Sequence, residues 1–167
     1  MARKRNSKRD DGRIAVSVYL GRGEDGKRRY KTVYGYTQKE ADAKADAIKA
    51  KIGKGLDVTA ERDSFESWAQ LWLAGKKADV SEKQYRNCES CAGHLVRALG
   101  RMPIAKIKTG DVQSVINALA EHNPYTHKPT AKKTLTDVKN TAKQIFQYAI
   151  DNRVLDYNPA GAVRVSP

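Results

Sequence analysis

The chain has 167 residues, 40% of them hydrophobic and 31% charged, which suits one or two soluble globular domains and excludes wholesale disorder. Its 32 Lys and Arg against 19 Asp and Glu leave a formal net charge of +13. No apolar run approaches the ~20 residues of a membrane helix, and the basic opening Met1-Ala2-Arg3-Lys4-Arg5 has no apolar stretch behind it, so it is not a secretory signal.

The positive charge is uneven. Ahead of residue 36 there are 11 basic against 4 acidic side chains, whereas residues 63–167 hold 15 against 10. Basic residues clustered on one element favour a polyanion, of which nucleic acid is the commonest, although a single charged run is also what a solvated face looks like. An acidic membrane surface fits less well, because no basic amphipathic helix with large apolar anchors is present. Cys88 and Cys91 form a CxxC pair without a second pair to complete a metal set; their spacing puts both on one side of a helix as small semi-buried residues.

Residues 1–9 carry Arg3, Lys4, Arg5, Lys8 and Arg9 and read as a flexible basic arm. From Gly12 to Leu20 the pattern alternates, Ile14, Val16, Val18 and Leu20 facing one way and Arg13, Ala15, Ser17 and Tyr19 the other, which is the period of a strand. Asp25-Gly26 predicts a hairpin turn, and Lys27 to Tyr34 a second strand. Thr37-Gln38-Lys39-Glu40 is a capping box opening a helix whose stripe is Ala41, Ala45, Ile48 and Ile52, with Gly53 and Gly55 as its stop. One helix covers only one sheet face. The other is expected to carry Arg13, Ser17, Tyr19, Arg29 and Lys31, a set able to reach base edges and phosphates from a major groove. The alternative is a Lys- and Arg-rich face that merely prevents edge aggregation.

After a polar stretch at 56–63, Phe65, Trp68, Ala69 and Trp72 predict a helix over 64–74 with both tryptophans in the core. Ser81-Glu82-Lys83-Gln84 caps a second helix to Leu99, burying Tyr85, Cys88, Ala92, Leu95 and Leu99 and displaying Lys83, Arg86, Asn87, Ser90, His94 and Arg97. Thr109 is expected to cap a third helix lined by Val112, Val115, Ile116 and Leu119. Pro124 to Pro129 is a loop, after which Thr130 is expected to cap the longest helix. Its buried side is Ala131, Leu135, Val138, Ala142, Ile145 and Ala149; its exposed side holds Lys132, Lys133, Thr136, Lys139, Asn140 and Lys143.

In this order and spacing, Trp68, Ser81, Tyr85, Leu99-Gly100, Ile104, Ile107-Lys108-Thr109, Asp111-Val112-Gln113, Thr130, Phe146-Gln147-Tyr148-Ala149 and Asn158-Pro159-Ala160 resemble the core-binding domain of the tyrosine recombinases, the phage-type integrases. The first domain similarly resembles the arm-binding domains of integrases and the related AP2-type sheets. The resemblance implies an α+β chain: a small AP2-like antiparallel sheet with one covering helix, then an all-α, SAM-like four-helix bundle. The domains fall at 1–55 (arm-type DNA binding, with the basic tail), 56–63 (linker), 64–160 (core-binding) and 161–167 (the start of a linker to an absent catalytic domain). In the family the second and fourth bundle helices meet DNA. Carried over, the DNA-facing residues are Lys83, Arg86, Asn87 and Ser90, then Thr130, Lys132, Lys133, Lys139 and Lys143. Lys8, Arg9, Arg13, Ser17, Tyr19, Arg29 and Lys31 serve the arm and sheet.

The family cleaves DNA with a tyrosine assisted by two arginines, a lysine and histidines. His94-Leu95-Val96-Arg97 matches one fragment of that set but lies inside the binding bundle, and Tyr157 sits in the exit segment without partners. The expectation is therefore a chain that binds double-stranded DNA and does not cut it, with no cofactor and no metal. It would act in the bacterial cytoplasm, monomeric off DNA and tetrameric in the synapse when part of a full-length recombinase. Two alternatives remain: a stand-alone regulator occupying integrase sites, and a basic protein- or RNA-interaction module, which would show no preference for duplex DNA.

Overall fold

The structure, a computed structural model, describes residues 10–23 and 25–165; the expected basic arm with Lys8 and Arg9 lies outside them. The chain divides into two compact units, Met1–Val58 and Thr59–Pro167. Its overall class is α+β.

The first unit is an antiparallel hairpin of β1 (Ile14–Arg22) and β2 (Arg28–Gly35), followed by helix α1 (Gln38–Gly53). β2 begins one residue later than expected, since Lys27 belongs to the turn, where Gly26 adopts φ +72°. The ladder pairs Ala15 with Tyr34, Ser17 with Thr32, Val18 with Lys31 and Tyr19 with Tyr30, then shifts by one residue at Leu20 so that Gly21 meets Arg29 and Arg22 meets Arg28. That shift is a β-bulge, which raises the local twist. Ile14 and Val18 are buried and Val16 and Leu20 half-buried beneath α1, whose Ala41, Ala45 and Ile48 complete this small core.

The start of α1 is pinned twice. Thr37 Oγ1 accepts the Glu40 amide at 3.1 Å, and the Glu40 carboxylate reaches one residue further back than a standard box, to the Tyr36 amide at 2.9 Å. Hydrogen bonds from Lys44 and then from the Tyr36 amide hold the Glu40 carboxyl below its usual range. Gly35 is required by close approach: a Cβ there would stand 2.6 Å from the Ala41 amide nitrogen. At the other end Gly55 takes φ +73°, and the bonds Leu56 N–H to Lys51 C=O (3.1 Å) and Gly55 N–H to Ile52 C=O (2.8 Å) form a Schellman stop.

The stretch expected as a bare linker is structured. Val58 is buried against Val18, Ala45 and Ile48, and a short 3₁₀ turn, Ala60–Arg62, leans Ala60 on the second core. That core belongs to a helical unit of α2 (Phe65–Asp79), α3 (Glu82–Leu99), α4 (Thr109–Glu121) and α5 (Lys132–Asp151), with a 3₁₀ turn at Ile104–Lys106. Phe65 and Phe146 meet at its centre with ring centroids 5.4 Å apart, and Trp68 and Trp72 are buried as expected. α2 continues past Ala74 to Asp79, its Gly75 tolerated within a helix already anchored by Trp68 and Trp72.

Three local expectations fail for identifiable reasons. His94 is not displayed but buried, because Tyr125 from the α4–α5 loop lies edge-on against it at 5.0 Å. Thr109 is the first residue of α4 rather than its cap; the Asp111 carboxylate instead takes the Lys108 amide at 2.8 Å. Thr130 does not cap α5. The helix starts two residues on, after an exposed Ala131, while the Thr130 amide bonds Leu119 C=O at 3.2 Å and its hydroxyl is buried with no partner among the described residues.

Beyond α5 the backbone stays on the bundle. Asn158 Nδ2 donates to Lys143 C=O at 2.9 Å, its Oδ1 accepts the Ala160 amide at 3.0 Å, and Pro159, Ala160 and Val163 are buried.

Candidate nucleic-acid interface

Alternation along β1 and β2 sorts the first unit's candidates onto two faces. On the face away from α1 stand Ser17 and Thr32, their hydroxyls 3.0 Å apart, and the Tyr19–Tyr30 pair at 5.5 Å between centroids. The Arg13 guanidinium lies over the Tyr34 ring at 5.4 Å and pairs with Asp11 at 2.7 Å. Arg22 and Arg28 join Tyr19 and Tyr30 around a shallow depression at the hairpin tip. The face thus has hydroxyls and aromatic rings along its middle and guanidinium groups at both ends.

Two expected members are misplaced. Lys31 pairs with Val18, so it points to the α1 side, where its Nζ donates to Val58 C=O at 2.8 Å. Arg29 alternates with Tyr30 and shares that parity. Arg13, Ser17 and Tyr19 are where the sequence put them. Tyr30, Thr32, Tyr34, Arg22 and Arg28 were missed.

On α3, 100° per residue gathers Lys83, Arg86, Ser90 and Arg97 into one outward stripe, with Asn87 to its side. Arg86 pairs with Glu82 one turn earlier, an exposed contact that phosphate could displace at little cost. Arg97 sits over the Tyr125 ring at 5.6 Å, so the same tyrosine packs against buried His94 and exposed Arg97. Burial, and secondarily the Arg97 charge, lower the His94 pKa and keep its ring neutral.

On α5 Lys132, Lys133 and Lys143 are exposed while Thr136 and Lys139 are half-buried, and the candidates split by direction. Lys132, Thr136, Lys139 and Lys143 share a flank with no acidic residue, while Lys133 points about 100° away beside Asn140 and Gln144. Asp137 lies on the opposite flank, close enough to Cys91 to act on its thiol. Among the described residues Lys132, Lys139 and Lys143 on the acid-free flank have no acidic partner.

Among the described residues no three His, Cys, Asp or Glu side chains gather as a metal site. His122 and His127 face each other at 5.4 Å in an exposed loop. Tyr157 is exposed, and Cys91 is buried with its thiol pushed up to about 11, chiefly by desolvation. No helix among the described residues is long and apolar enough to cross a membrane.

A family model described as the phage integrase central domain matches residues 65–166. The chain belongs to the phage integrase central domain family. Over 158 residues this integrase-family chain is 30% identical to a protein of Caldanaerobacter subterraneus subsp. tengcongensis described as tyrosine recombinase XerC-like; the match takes in 90% of the chain but 38% of that relative. A solution NMR structure of a fragment, residues 61–160, of a Clostridium leptum protein is 40% identical, with a TM-score of 0.50, covering 64% of the chain and 91% of the fragment. Two lambda integrase structures, a dimer bound to a COC′ core site and a tetramer bound to a Holliday junction, each superpose at TM-score 0.56 and 15% identity over 99% of the chain, covering 46% and 48% of theirs. At that identity they establish a shared fold. The integrase-family chain is thus an α+β relative of the tyrosine recombinases, spanning well under half of its XerC-like relative.

Proposed function

We propose that this chain is a duplex-DNA-binding part of a site-specific tyrosine recombinase, with the hairpin unit on arm-type sites and the helical unit on the core crossover site. The acid-free flank of Lys132, Lys139 and Lys143 on α5 carries the reading, because regularly spaced, unpaired cations on a rigid helix match the phosphates of a duplex. Lys83, Arg86, Asn87, Ser90 and Arg97 on α3 would add contacts, and Thr130, its hydroxyl buried, would not. In the hairpin unit the contacts are assigned to Arg13, Ser17, Tyr19, Arg22, Arg28, Tyr30 and Thr32, with Lys8 and Arg9 as arm contacts. Lambda integrase, which shares the fold, is a protein solved on a core site and on a Holliday junction, and this supports the partner.

In this reading the chain binds and does not cut. Tyr157 lies exposed in the exit segment, and His94 is walled in by Tyr125. The chain would act in the bacterial cytoplasm, monomeric off DNA and within a tetrameric synapse as part of a full recombinase.

Footprinting on the attachment region of the chain's own element, across a salt series, tests the proposal. Two separate protected sites whose affinity falls steeply with salt are expected. Protection of one site confines the function to one unit, and binding without footprints rejects specific recognition.

A further inference from the structure

The residues that follow α5 are fastened to the bundle more tightly than a connecting segment needs. Gln113, on the outer side of α4, makes a two-way clamp on the backbone of a residue 51 positions away: its Nε2 donates to Arg164 C=O at 2.9 Å and its Oε1 accepts the Arg164 amide at 2.8 Å. The side-chain amide thus imitates a strand partner and satisfies both polar groups of one peptide residue. The same Nε2 also donates to Asn117 Oδ1 at 2.9 Å, one turn along α4, which sets the rotation of the amide and presents its oxygen to the Arg164 N–H.

Between this clamp and the Asn158 contact to Lys143 on α5 lie Pro159, Ala160 and Val163, all buried in the core of the helical unit, and Val165 packs partly against it. Residues 158–165 are therefore a strap with two polar pins and an apolar seam, spanning α5 and α4. Ordering a residue costs backbone entropy, and a spacer of free orientation would not be ordered at that cost. One pin bonds the backbone of Lys143, a member of the cation flank, so the strap's position is referenced to that flank.

We infer that Gln113 is a positioning residue: with Asn158 it fixes the direction in which the polypeptide leaves the bundle, so that a protein domain joined after Val165 is held at a set orientation to the α5 lysines. The functional value of that orientation rests on the recombinase reading above; the mechanical claim does not.

The test uses the whole chain. By NMR, the Arg164 amide is expected to exchange slowly with solvent, and Gln113→Ala to accelerate it about tenfold while the Val112 and Val115 amides stay protected, showing that the bundle is intact. Spin labels at Lys77→Cys and Arg164→Cys, in a Cys88→Ser background, are expected to give one narrow distance distribution that broadens with Gln113→Ala. Gln113→Glu, which still accepts the Arg164 amide but cannot donate, should fall between. A small globular reporter fused after Pro167 should tumble with the helical unit in the wild type and independently of it in Gln113→Ala. Affinity for DNA is expected to be unchanged by Gln113→Ala, so a chain that fails to bind DNA leaves these readouts interpretable. An Arg164 amide exchanging at random-coil rate, a wild-type distribution already broad, or Gln113→Ala indistinguishable from wild type in all readouts overturns the inference.

Discussion

His94 shows how one residue's surroundings decide its chemistry. Helical periodicity puts it at the margin of the exposed side of α3, and only the Tyr125 ring at 5.0 Å makes it a core residue. Its folded-state pKa is lowered, by burial first and Arg97 second, below the ~6.5 of an unfolded histidine. Above that value both states are neutral there and no stability is lost. As pH falls below it the unfolded chain takes up the proton first, so stability declines until the folded-state value is passed. Thermal unfolding of the helical unit should accordingly show a midpoint that falls as pH drops below about 6.5. His94→Phe, filling the same space without a titrating group, should flatten that part of the profile.

At the scale of elements, the hairpin separates what the sequence discloses from what it hides. The alternation of Ile14, Val16, Val18 and Leu20 names the covered face of β1 correctly, because burial on one side imposes a period of two. The companion face of β2 could not be read the same way. Val33 is the one aliphatic residue on its covered side, too little to establish a period of two, so alternation alone does not tell Lys31 from Thr32; the turn sets the register, and Lys31 falls opposite Val18. The bulge at Leu20 hid Arg22 as well, since it reverses the parity of β1 beyond that point. Arg28→Ala and Tyr30→Ala should thus each weaken duplex binding in a gel-shift series by about 1–3 kcal/mol, while Arg29→Ala changes it little.

The helices were more legible. Their apolar stripes are long, and α3 lies at its expected span; the misses are the end of α2 and the starts of α4 and α5, where a local bond from the Lys108 amide to Asp111 and a longer-range one from the Thr130 amide to Leu119 C=O replace the expected threonine caps. On α5 the sequence found every lysine but not their division into two directions. Replacing Lys139 and Lys143 with alanine should reduce the slope of log affinity against log salt by about 0.9 per lysine, whereas Lys133→Ala should act less. Equal effects at all three would remove the flank's special role.

At the scale of the molecule, two cores close independently. The hairpin unit's core is Val18, Ala45, Ile48 and Val58 with a few half-buried neighbours, whereas the helical unit is built on two dozen buried apolar residues. Thr59–Pro167 expressed alone should therefore unfold cooperatively and keep the circular-dichroism signature of four helices, while Met1–Val58 alone should be much less stable. If both units bind one DNA molecule, the second contact forms at an effective concentration set by the first, and their separation should cost far more affinity than either loses alone.

The Ser17 and Thr32 hydroxyls are joined by one hydrogen bond across 3.0 Å, and either can be its donor. Rotation about a C–O bond therefore exchanges which oxygen offers a proton and which offers a lone pair, with no movement of the backbone. A reader with that symmetry cannot spell. Set against a base edge, it would accept an amino group or a carbonyl with similar ease, unlike an arginine fork, whose donors are fixed. In a collection of sites selected by this chain, the position beneath the hydroxyl pair should be the blank letter, carrying little information between well-defined neighbours under the arginines.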